Sequence, residues 1–300
     1  MEVSETFQRR RSIAKWEVAR RYQSVESFMR LPLGEGLHTI EHNGRLIDFL
    51  IRDRGSDTTL IVFHGALSPR QRTIPYLQGE GISEAAGANL IACSDVSLDR
   101  GPLACAWFLG DKDIGNLRRL LSPILAHVLE ELGSENTVLF GGSGGGYSAI
   151  NFAQDFQDSI VLAMNPRLNL DSAPKSTLPE YLKICHGVDT KTPMRRVKSE
   201  FLEPNLADSI NRKQDFDLLI VQNSNDTRFL NHQVKPFFDE LISLERTWVR
   251  LFDGDPGHSP VPRGELGKIL SSIVDLSRQG DRDFTRIRFT RGEDRKVLGL

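Results

Sequence analysis

The sequence is short of several features that define whole classes of protein. Its 300 residues include only three cysteines, Cys93, Cys105 and Cys185, which form neither a close pair nor a metal-ligand spacing. Sparse thiols of this kind are typical of a reducing compartment, and we expect all three to be buried. No apolar run approaches the ~20 residues that a membrane span needs, and no signal-peptide core follows the basic N-terminus. These absences predict a soluble, cytoplasmic protein that binds no metal.

Charge of one sign is not in excess either. The chain carries 38 Lys and Arg against 40 Asp and Glu, a formal net charge of −2. Dedicated nucleic-acid binders usually have a strong basic excess, so we do not expect nucleic acid as a partner. With 39% hydrophobic and 26% charged residues, the composition is that of an ordinary globular protein. The length allows one large α/β domain or two smaller ones.

The N-terminal segment, residues 1–33, is predicted to be an added helix. Apolar residues recur at helical spacing from Ile13 to Met29. Arginines fill the other positions, among them Arg9, Arg10, Arg11, Arg20 and Arg21. A solvated polar face on a docked helix explains them, and contact with a membrane surface or an acidic polymer is the alternative.

After Gly34 the sequence alternates between strand and helix patterns. An antiparallel hairpin is predicted over 37–51, with Asn43-Gly44 as its turn. Continuous apolar runs, typical of strands buried on both faces, lie at 58–63, 89–93, 137–140, 159–164, 217–221 and 247–252. Helical patterns lie at 116–132, 146–156, 230–244 and 264–276. This alternation predicts an α/β fold with a mainly parallel sheet and helices on both faces.

Two stretches depart from that alternation. About fifty residues at 166–216 separate two predicted strands, more than one crossover needs, and they indicate an inserted helical cap. We therefore expect an extension at 1–33, a main domain at 34–278 that carries the cap, and a charged tail at 279–300. Within the tail, the alternation at 285–289 predicts either an edge strand or a loose segment.

The strongest local signal is the pattern G-x-S-x-G at 141–145, between a predicted strand and a helix rich in small residues. Gly141 and Gly145 permit a sharp turn that lifts the hydroxyl of Ser143 above the sheet. At a helix N-terminus, free backbone N–H groups stabilise a developing negative charge. The pattern predicts that Ser143 is a nucleophile.

A phosphate-binding loop is the alternative, because Gly142, Gly144 and Gly146 add to the glycine content. The Walker pattern needs a lysine, which this loop lacks. A dinucleotide fingerprint would lie in mid-chain, with no acidic residue at the end of the next strand near Met164. The nucleophile interpretation is therefore favoured.

Two further residues follow Ser143 in the chain order of a nucleophile, an acid and a histidine. Asp226 comes just after one predicted strand and His258 just after the next, at the sheet edge where Ser143 emerges. His258 would take and return the serine proton while Asp226 fixes the imidazole. A helix cap is the alternative for Asp226. Asp253 and Asp255 are rival acids that turn formation also explains.

Residues 64–66 follow the first core strand. Enzymes with a serine nucleophile between a strand and a helix place half of the oxyanion hole at this position. The backbone N–H of Ala66, or of Gly65, is predicted to pair with that of Gly144 in stabilising the oxyanion. His64 itself is predicted to be structural.

An aromatic stretch follows another predicted strand end. Trp107 and Phe108 are candidates for the wall of a substrate pocket. Ordinary core packing explains them equally well, so the sequence leaves both interpretations open.

Several short motifs together resemble a known family: the Asn43-Gly44 hairpin, FHGALSP at 63–69, GSGGG at 142–146, NPRL at 165–168, Asn225-Asp226 and Gly257-His258. From Gly34 to Arg278 the chain resembles α/β-hydrolases. More narrowly it resembles bacterial proteins of this fold that are associated with surface polysaccharides, including capsule O-acetyltransferases. The resemblance implies an acyl-enzyme on serine, no cofactor, and acetyl-CoA as a co-substrate if the acyl group passes to a sugar hydroxyl.

Three functions are compatible with these patterns. The first is a serine hydrolase acting on a small-molecule ester, and the second is an O-acyltransferase that modifies a glycan through the same triad. The third is a catalytically inactive binding module. Arg195, Arg196 and Lys198 in the predicted cap would hold an anionic donor or glycan, although solvated charge explains them as well.

Overall fold

One large sheet organises the chain. The computed structural model describes residues 9–16, 18–172, 177–189 and 191–300, without the side chains of 191–194 and 199. Its strands are β1 (Arg10–Arg11), β2 (Ala19–Tyr22), β3 (Gly36–His42), β4 (Arg45–Arg52), β5 (Thr58–Phe63), β6 (Thr73–Ile74), β7 (Asn89–Cys93), β8 (Gly110–Asp111), β9 (Gly115–Asn116), β10 (Asn136–Gly142), β11 (Ile160–Met164), β12 (Asp217–Asn223), β13 (Thr247–Phe252) and β14 (Thr290–Arg291). Its helices are α1 (Val25–Arg30), α2 (Glu80–Ala85), α3 (Leu117–Glu131), α4 (Gly144–Ala153), α5 (Leu178–His186), α6 (Lys191–Phe201), α7 (Leu206–Arg212), α8 (Thr227–Phe229), α9 (Lys235–Glu240) and α10 (Arg263–Arg278).

Among the described residues, ten strands join in the order β14-β13-β12-β11-β10-β5-β7-β4-β3-β2. The six strands from β13 to β7 are all parallel to their neighbours. The hairpin β3–β4 joins β7 antiparallel, and β14 closes the other edge antiparallel to β13. The predicted α/β architecture, with its parallel core and preceding hairpin, is confirmed. Because the central strands are parallel, their carboxyl ends lie along one edge.

Helices cover both faces of the sheet. Along β5, Leu60 and Val62 pack on the face covered by α2 and α10, whereas Ile61 and Phe63 pack on the face covered by α3 and α4. All four side chains are at most 2% exposed. The strands are therefore continuously apolar because neither face meets water. In the described ranges no helix is both long and apolar enough to cross a bilayer.

The prediction of an N-terminal helix is wrong for the described residues. Only Val25–Arg30 is helical, while β2 pairs parallel with β3 and β1 pairs with β6. Trp16 and Tyr22 pack into hydrophobic clusters on opposite faces of the sheet. Neither residue lies on a helix, so the helical spacing of the apolar residues from Ile13 to Met29 misled the sequence interpretation.

The insertion after β11 contains the predicted short helices, α5, α6 and α7. The first of them, α5, packs against the segment that contains β8, and the Tyr181 hydroxyl donates to the carbonyl of Gly110 at 2.8 Å. Tyr181 is fully buried. This part of the insertion is thus part of the core.

The C-terminal residues dock on the sheet edge. Phe284 and Phe289 are buried, and the Phe284 ring meets Trp248 of β13 edge to face at 4.9 Å. The edge strand is β14, which lies just after the alternating segment 285–289. Residues 284–287 form a 3-10 helix, so the prediction of an edge strand or loose segment at 285–289 is wrong, and the edge strand lies at 290–291.

The arginines near the N-terminus fall into two groups, since Arg10, Arg20 and Arg21 are exposed as predicted, whereas Arg9 and Arg11 are not. Arg9 is only 5% exposed, and its guanidinium donates to the carbonyls of Leu98 at 2.7 Å, Gly101 at 3.0 Å and Leu103 at 2.7 Å. Burial lowers the pKa of this guanidinium below its ordinary value. Arg11 forms an ion pair with Asp48 of β4. Two of the arginines therefore tie the N-terminal segment to the domain.

We expect Arg9→Ala to lower the free energy of unfolding by about 3 kcal/mol, because three buried carbonyls lose their donor. Urea denaturation measures the change. The neighbouring Arg10 is exposed, so Arg10→Ala is the matched control and should change stability by less than about 0.5 kcal/mol. Equal effects of the two substitutions would contradict the anchoring role of Arg9.

Candidate active site

Ser143 sits at the junction between β10 and α4, in a conformation that few residues adopt. Its φ of 54° and ψ of −116° lie outside the regions favoured by L-residues. The turn is held from both sides, since the Ser143 N–H donates to the Met164 carbonyl at 2.8 Å and its carbonyl accepts from Arg167 N–H at 3.0 Å. This is the strained strand-turn-helix expected for a nucleophile.

The surrounding glycines are explained by close packing. A Cβ on Gly145 would lie 2.2 Å from the carbonyl oxygen of Phe63, and one on Gly141 would lie 2.1 Å from the carbonyl oxygen of Gly145. A Cβ on Gly144 would lie 2.6 Å from the sulfur of Cys105. Helix α4 thus crosses β5 and β10 closer than any side chain allows. The glycine content that suggested a phosphate loop has a packing cause.

Asp226 and His258 come together at the same edge. The Nδ1 atom of His258 lies 2.6 Å from Oδ2 of Asp226, and the carboxylate is 3% exposed. The Phe229 ring stacks on the imidazole with centroids 3.9 Å apart. The other oxygen, Oδ1, accepts from the Phe229 N–H at 3.1 Å. Asp226 therefore both caps α8 and holds His258, so the two interpretations of this residue are compatible.

The rival acids lie elsewhere in the loop. Asp253 and Asp255 are exposed. Asp253 accepts from the Asn225 amide at 2.7 Å, and Asp255 contributes its backbone carbonyl to Asn223. Each thus has a role in the turn that contains His258.

Ser143 and His258 line one cavity of about 800 Å³. Gly65 and Ala66 lie on its wall as well. No hydrogen bond joins Ser143 to His258 among the residues that the structure describes. Such contacts are often long before substrate binds, and a shared cavity wall is compatible with one forming in a complex.

Two asparagines that sequence reasoning did not single out as functional hold the loop of His258. Asn223, at the end of β12, donates to the carbonyls of Asp255 at 2.7 Å and Gly257 at 2.9 Å. Asn165, at the end of β11, donates to the carbonyl of Ser259 at 2.7 Å and accepts from the Asn223 N–H at 2.8 Å. Both are buried. Their only sequence signal was position, directly at strand ends beside Ser143 and His258.

His64 supports the loop of Gly65 and Ala66. It is buried, and desolvation lowers its pKa to about 4, so the ring is neutral. Its Nε2 accepts from the Asp95 N–H at 3.2 Å, which assigns the proton to Nδ1, 2.8 Å from the carbonyl of Gly65. The predicted structural role of His64 agrees with these contacts.

In the described part of the chain, the backbone N–H groups of Gly65, Ala66 and Gly144 have no acceptor. Gly65 and Ala66 border the cavity, whereas Gly144 is buried behind Ser143. Gly65 and Ala66 therefore offer donors at the cavity, and Gly144 offers one next to Ser143 in the chain.

Trp107 and Phe108 belong to the core, which corrects their interpretation as pocket walls. They are 3% and 1% exposed, and neither lines the cavity. Phe108 packs edge to face on Phe63 at 5.1 Å, and its N–H donates to Asp95 at 2.8 Å. Burial raises the pKa of Asp95 to about 6. Core packing is what holds both aromatic side chains in place.

The insertion does not shape this cavity through any residue that the structure describes. Arg195 and Arg196 are exposed, and Lys198 pairs with Asp171. All three cysteines are buried and free, as expected. Within the described ranges, no group of three His, Cys, Asp or Glu side chains has a metal-binding arrangement.

Comparison with known proteins identifies the fold. No protein-family model matches the chain, and no curated protein sequence matches it. Among solved structures, the capsule O-acetyltransferase of Neisseria meningitidis serogroup A is similar at a TM-score of 0.55 and 17% identity, over 81% of this chain and 95% of its own. The Pyrococcus furiosus esterase Pf2001 is similar at a TM-score of 0.52 and 18% identity, over 81% of this chain and 93% of its own. An S-formylglutathione hydrolase from Agrobacterium tumefaciens is similar at a TM-score of 0.52 and 14% identity, over 82% of this chain and 93% of its own.

These three neighbours are enzymes with an α/β-hydrolase fold. The chain therefore has this fold, as its motifs predicted. At such identities the likeness concerns architecture, so the chemistry of the site must be argued from its own residues.

We expect Asn223→Ala to slow the reaction of Ser143 with a fluorophosphonate probe by about 10- to 100-fold, because the loop of His258 loses two of its anchors. Labelling rates and thermal unfolding are measured together. Asn211→Ala is the matched control, since Asn211 bridges Glu240 and Ile242 far from the cavity in the same manner. An unchanged labelling rate with lowered stability would mean that Asn223 is only structural.

Proposed function

We propose that this chain is a serine hydrolase of the esterase type, acting through an acyl-enzyme with Ser143, His258 and Asp226. The observation that carries the proposal is the 2.6 Å contact between His258 and the buried Asp226, at the cavity that Ser143 also lines. An acid that fixes one imidazole nitrogen leaves the other one free to accept a proton. The strained conformation of Ser143 supports the same role.

In the first step, Ser143 Oγ attacks the ester carbonyl and its proton passes to Nε2 of His258. The Asp226 carboxylate stabilises the imidazolium through Nδ1. The tetrahedral intermediate then collapses: the bond to the alcohol breaks, and His258 returns the proton to that alcohol. In the second step, water attacks the acyl-enzyme by the same route and releases the acid.

The oxyanion is assigned to backbone donors. Gly144 N–H follows the nucleophile, and Ala66 or Gly65 N–H comes from the loop that packs beside it, since a Cβ on Gly65 would lie 3.7 Å from Cβ of Ser143. The neutral state of His64 supports this assignment, since it anchors the loop of Gly65 without adding a charge.

The triad is tested with a fluorophosphonate probe and p-nitrophenyl acetate. We expect Ser143→Ala to abolish labelling and turnover, and His258→Ala and Asp226→Asn to lower turnover by about 10³-fold or more. Asp253→Asn should have little effect, because this rival acid does not contact His258. Absence of labelling in correctly folded wild type would contradict the nucleophile and favour an inactive binding module.

An O-acyltransferase is the second candidate, because it would use the same acyl-enzyme. The observation that favours it is the likeness to the meningococcal capsule O-acetyltransferase, a variant of which has a structure in complex with CoA. In that reaction a sugar hydroxyl, in place of water, attacks the acyl group on Ser143. Acetyl-CoA would then be the donor.

Release of free CoA separates the two functions. For the hydrolase we expect release from acetyl-CoA, if any, to be unchanged by added glycans. Release that rises with glycan concentration and disappears in Ser143→Ala would instead identify a transferase. A thiol reagent measures the CoA, and mass spectrometry of the glycan detects the transferred acyl group.

A further inference from the structure

The cavity at Ser143 extends as an apolar slot between two helices. Three adjacent strands make its floor, through Val62 of β5, Phe140 of β10 and Met164 of β11. One wall is the beginning of α2, including Ile82, and the other is the segment 258–267 at the beginning of α10. We call this part of the cavity the slot.

Helices α2 and α10 set the length of the slot. Both α2 and α10 begin at the carboxyl edge of the sheet and run towards the opposite edge. They meet where a Cβ on Gly267 would lie 3.7 Å from Cβ of Ala85, and where Ser271 Oγ donates to the Ala85 carbonyl at 3.0 Å. The six residues of α2 span about 9 Å. This length holds an alkyl chain of several carbons and is much more than an acetyl group fills.

The lining beside the nucleophile suits hydrocarbon. Met164 of β11 pairs with Gly142 at the end of β10. A Cβ on Gly142 would lie 2.8 Å from the terminal methyl of Met164. Val261 and Leu266, on the opposite wall, are buried and apolar. A chain attached to Ser143 that enters the slot would leave water for apolar surface, which favours longer chains by about fourfold for each methylene.

Arg263 adds a positive charge at the mouth. It is the first residue of α10, and apart from His258 it is the only ionisable side chain among the described residues that line the cavity. Within the described ranges its guanidinium has no hydrogen bond or ion pair. By contrast, Arg250 pairs with Glu265 and Arg278 pairs with Asp57. A cation at the mouth, beside a slot filled by the acyl chain, faces the alcohol or thiol part of the substrate.

We propose that the site takes an ester or thioester whose apolar acyl chain, longer than acetyl, lies in the slot and whose alcohol or thiol part carries a negative charge held by Arg263. The proposal rests on the proposed function, because the acyl carbon must bond to Ser143. The ester C–O or thioester C–S bond breaks as the bond to Oγ forms. The serine proton leaves on the alcohol or thiol through His258.

The acyl chain is tested with p-nitrophenyl acetate, butyrate, hexanoate and octanoate. We expect kcat/KM to rise at least tenfold from acetate to hexanoate, and Ile82→Trp, which fills the slot, to compress that ratio towards one. Glu84→Trp is the matched control on the same helix, since Glu84 is exposed outside the cavity, and should keep the wild-type ratio. Gly81→Leu is a second blocking variant, because a Cβ there meets no atom within 4 Å.

A flat chain-length profile in the wild type would overturn the assignment of the slot. A series of alkyl acetates gives a second check. If kcat/KM rose with the length of the alcohol chain and did not change with the length of the acyl chain, the slot would hold the alcohol part and the assignment would be overturned.

The charge is tested with two hexanoate esters that differ only in a carboxylate or a neutral amide on the alcohol part. We expect the wild type to prefer the carboxylate by up to about fivefold at low salt, and the preference to fall as salt rises. Arg263→Gln should abolish it, whereas the matched control Lys268→Gln, on an exposed position of α10, should retain it. Equal preference in Arg263→Gln and wild type would overturn the role of Arg263.

Failure of this inference differs from failure of the proposed function. Suppose that acetate turnover and probe labelling depend on Ser143, but that neither the hexanoate-to-acetate ratio nor the preference for the carboxylate ester changes as expected. The triad then stands and the substrate class is wrong. If neither labelling nor turnover depends on Ser143, the function itself is wrong.

Discussion

The close crossing of α4 over β5 and β10 is the constraint on which the rest of this structure depends. At Gly141 and Gly145 the backbones approach so closely that a Cβ would overlap a carbonyl group. The chain can reverse from strand to helix within this space only by a strained turn, and Ser143 occupies that turn. The serine is thereby raised to the sheet edge where β12 and β13 end. The position of Ser143 follows from backbone packing alone, whatever its contacts with other side chains.

The two histidines near Ser143 illustrate how environment separates chemical roles. His64 is enclosed, and desolvation holds its pKa near 4, so the ring works as a neutral bridge between two backbone groups. His258 keeps about a third of its side chain exposed and faces a carboxylate. A charged imidazole is thus strongly disfavoured at one position and has a counter-ion at the other. Only the second ring borders the cavity that Ser143 lines.

Much of the fold could be predicted from the sequence, because strands buried on both faces need unbroken apolar runs, and 58–63 and 217–221 are of that kind. The placement of Asp226 and His258 after strand ends also located the pair that the structure brings together. The N-terminal strands could not be predicted, since the apolar residues from Ile13 to Met29 recur at helical spacing, although Trp16 and Tyr22 pack on opposite faces of the sheet. Similarly, no local pattern tells whether Trp107 points to a pocket or to the core.

The asparagines at the strand ends have a consequence for how this site can vary. Asn165 and Asn223 grip the loop of His258 through its backbone carbonyls at positions 255, 257 and 259. Every residue has such a carbonyl, so the grip does not depend on which side chains the loop carries. Apart from Gly257, whose φ of 84° favours glycine, and Asp253, whose side chain accepts from Asn225, the exposed positions around His258 are therefore free to change in evolution or by design. Substitutions there would change the side chains at the mouth of the cavity while His258 keeps its position.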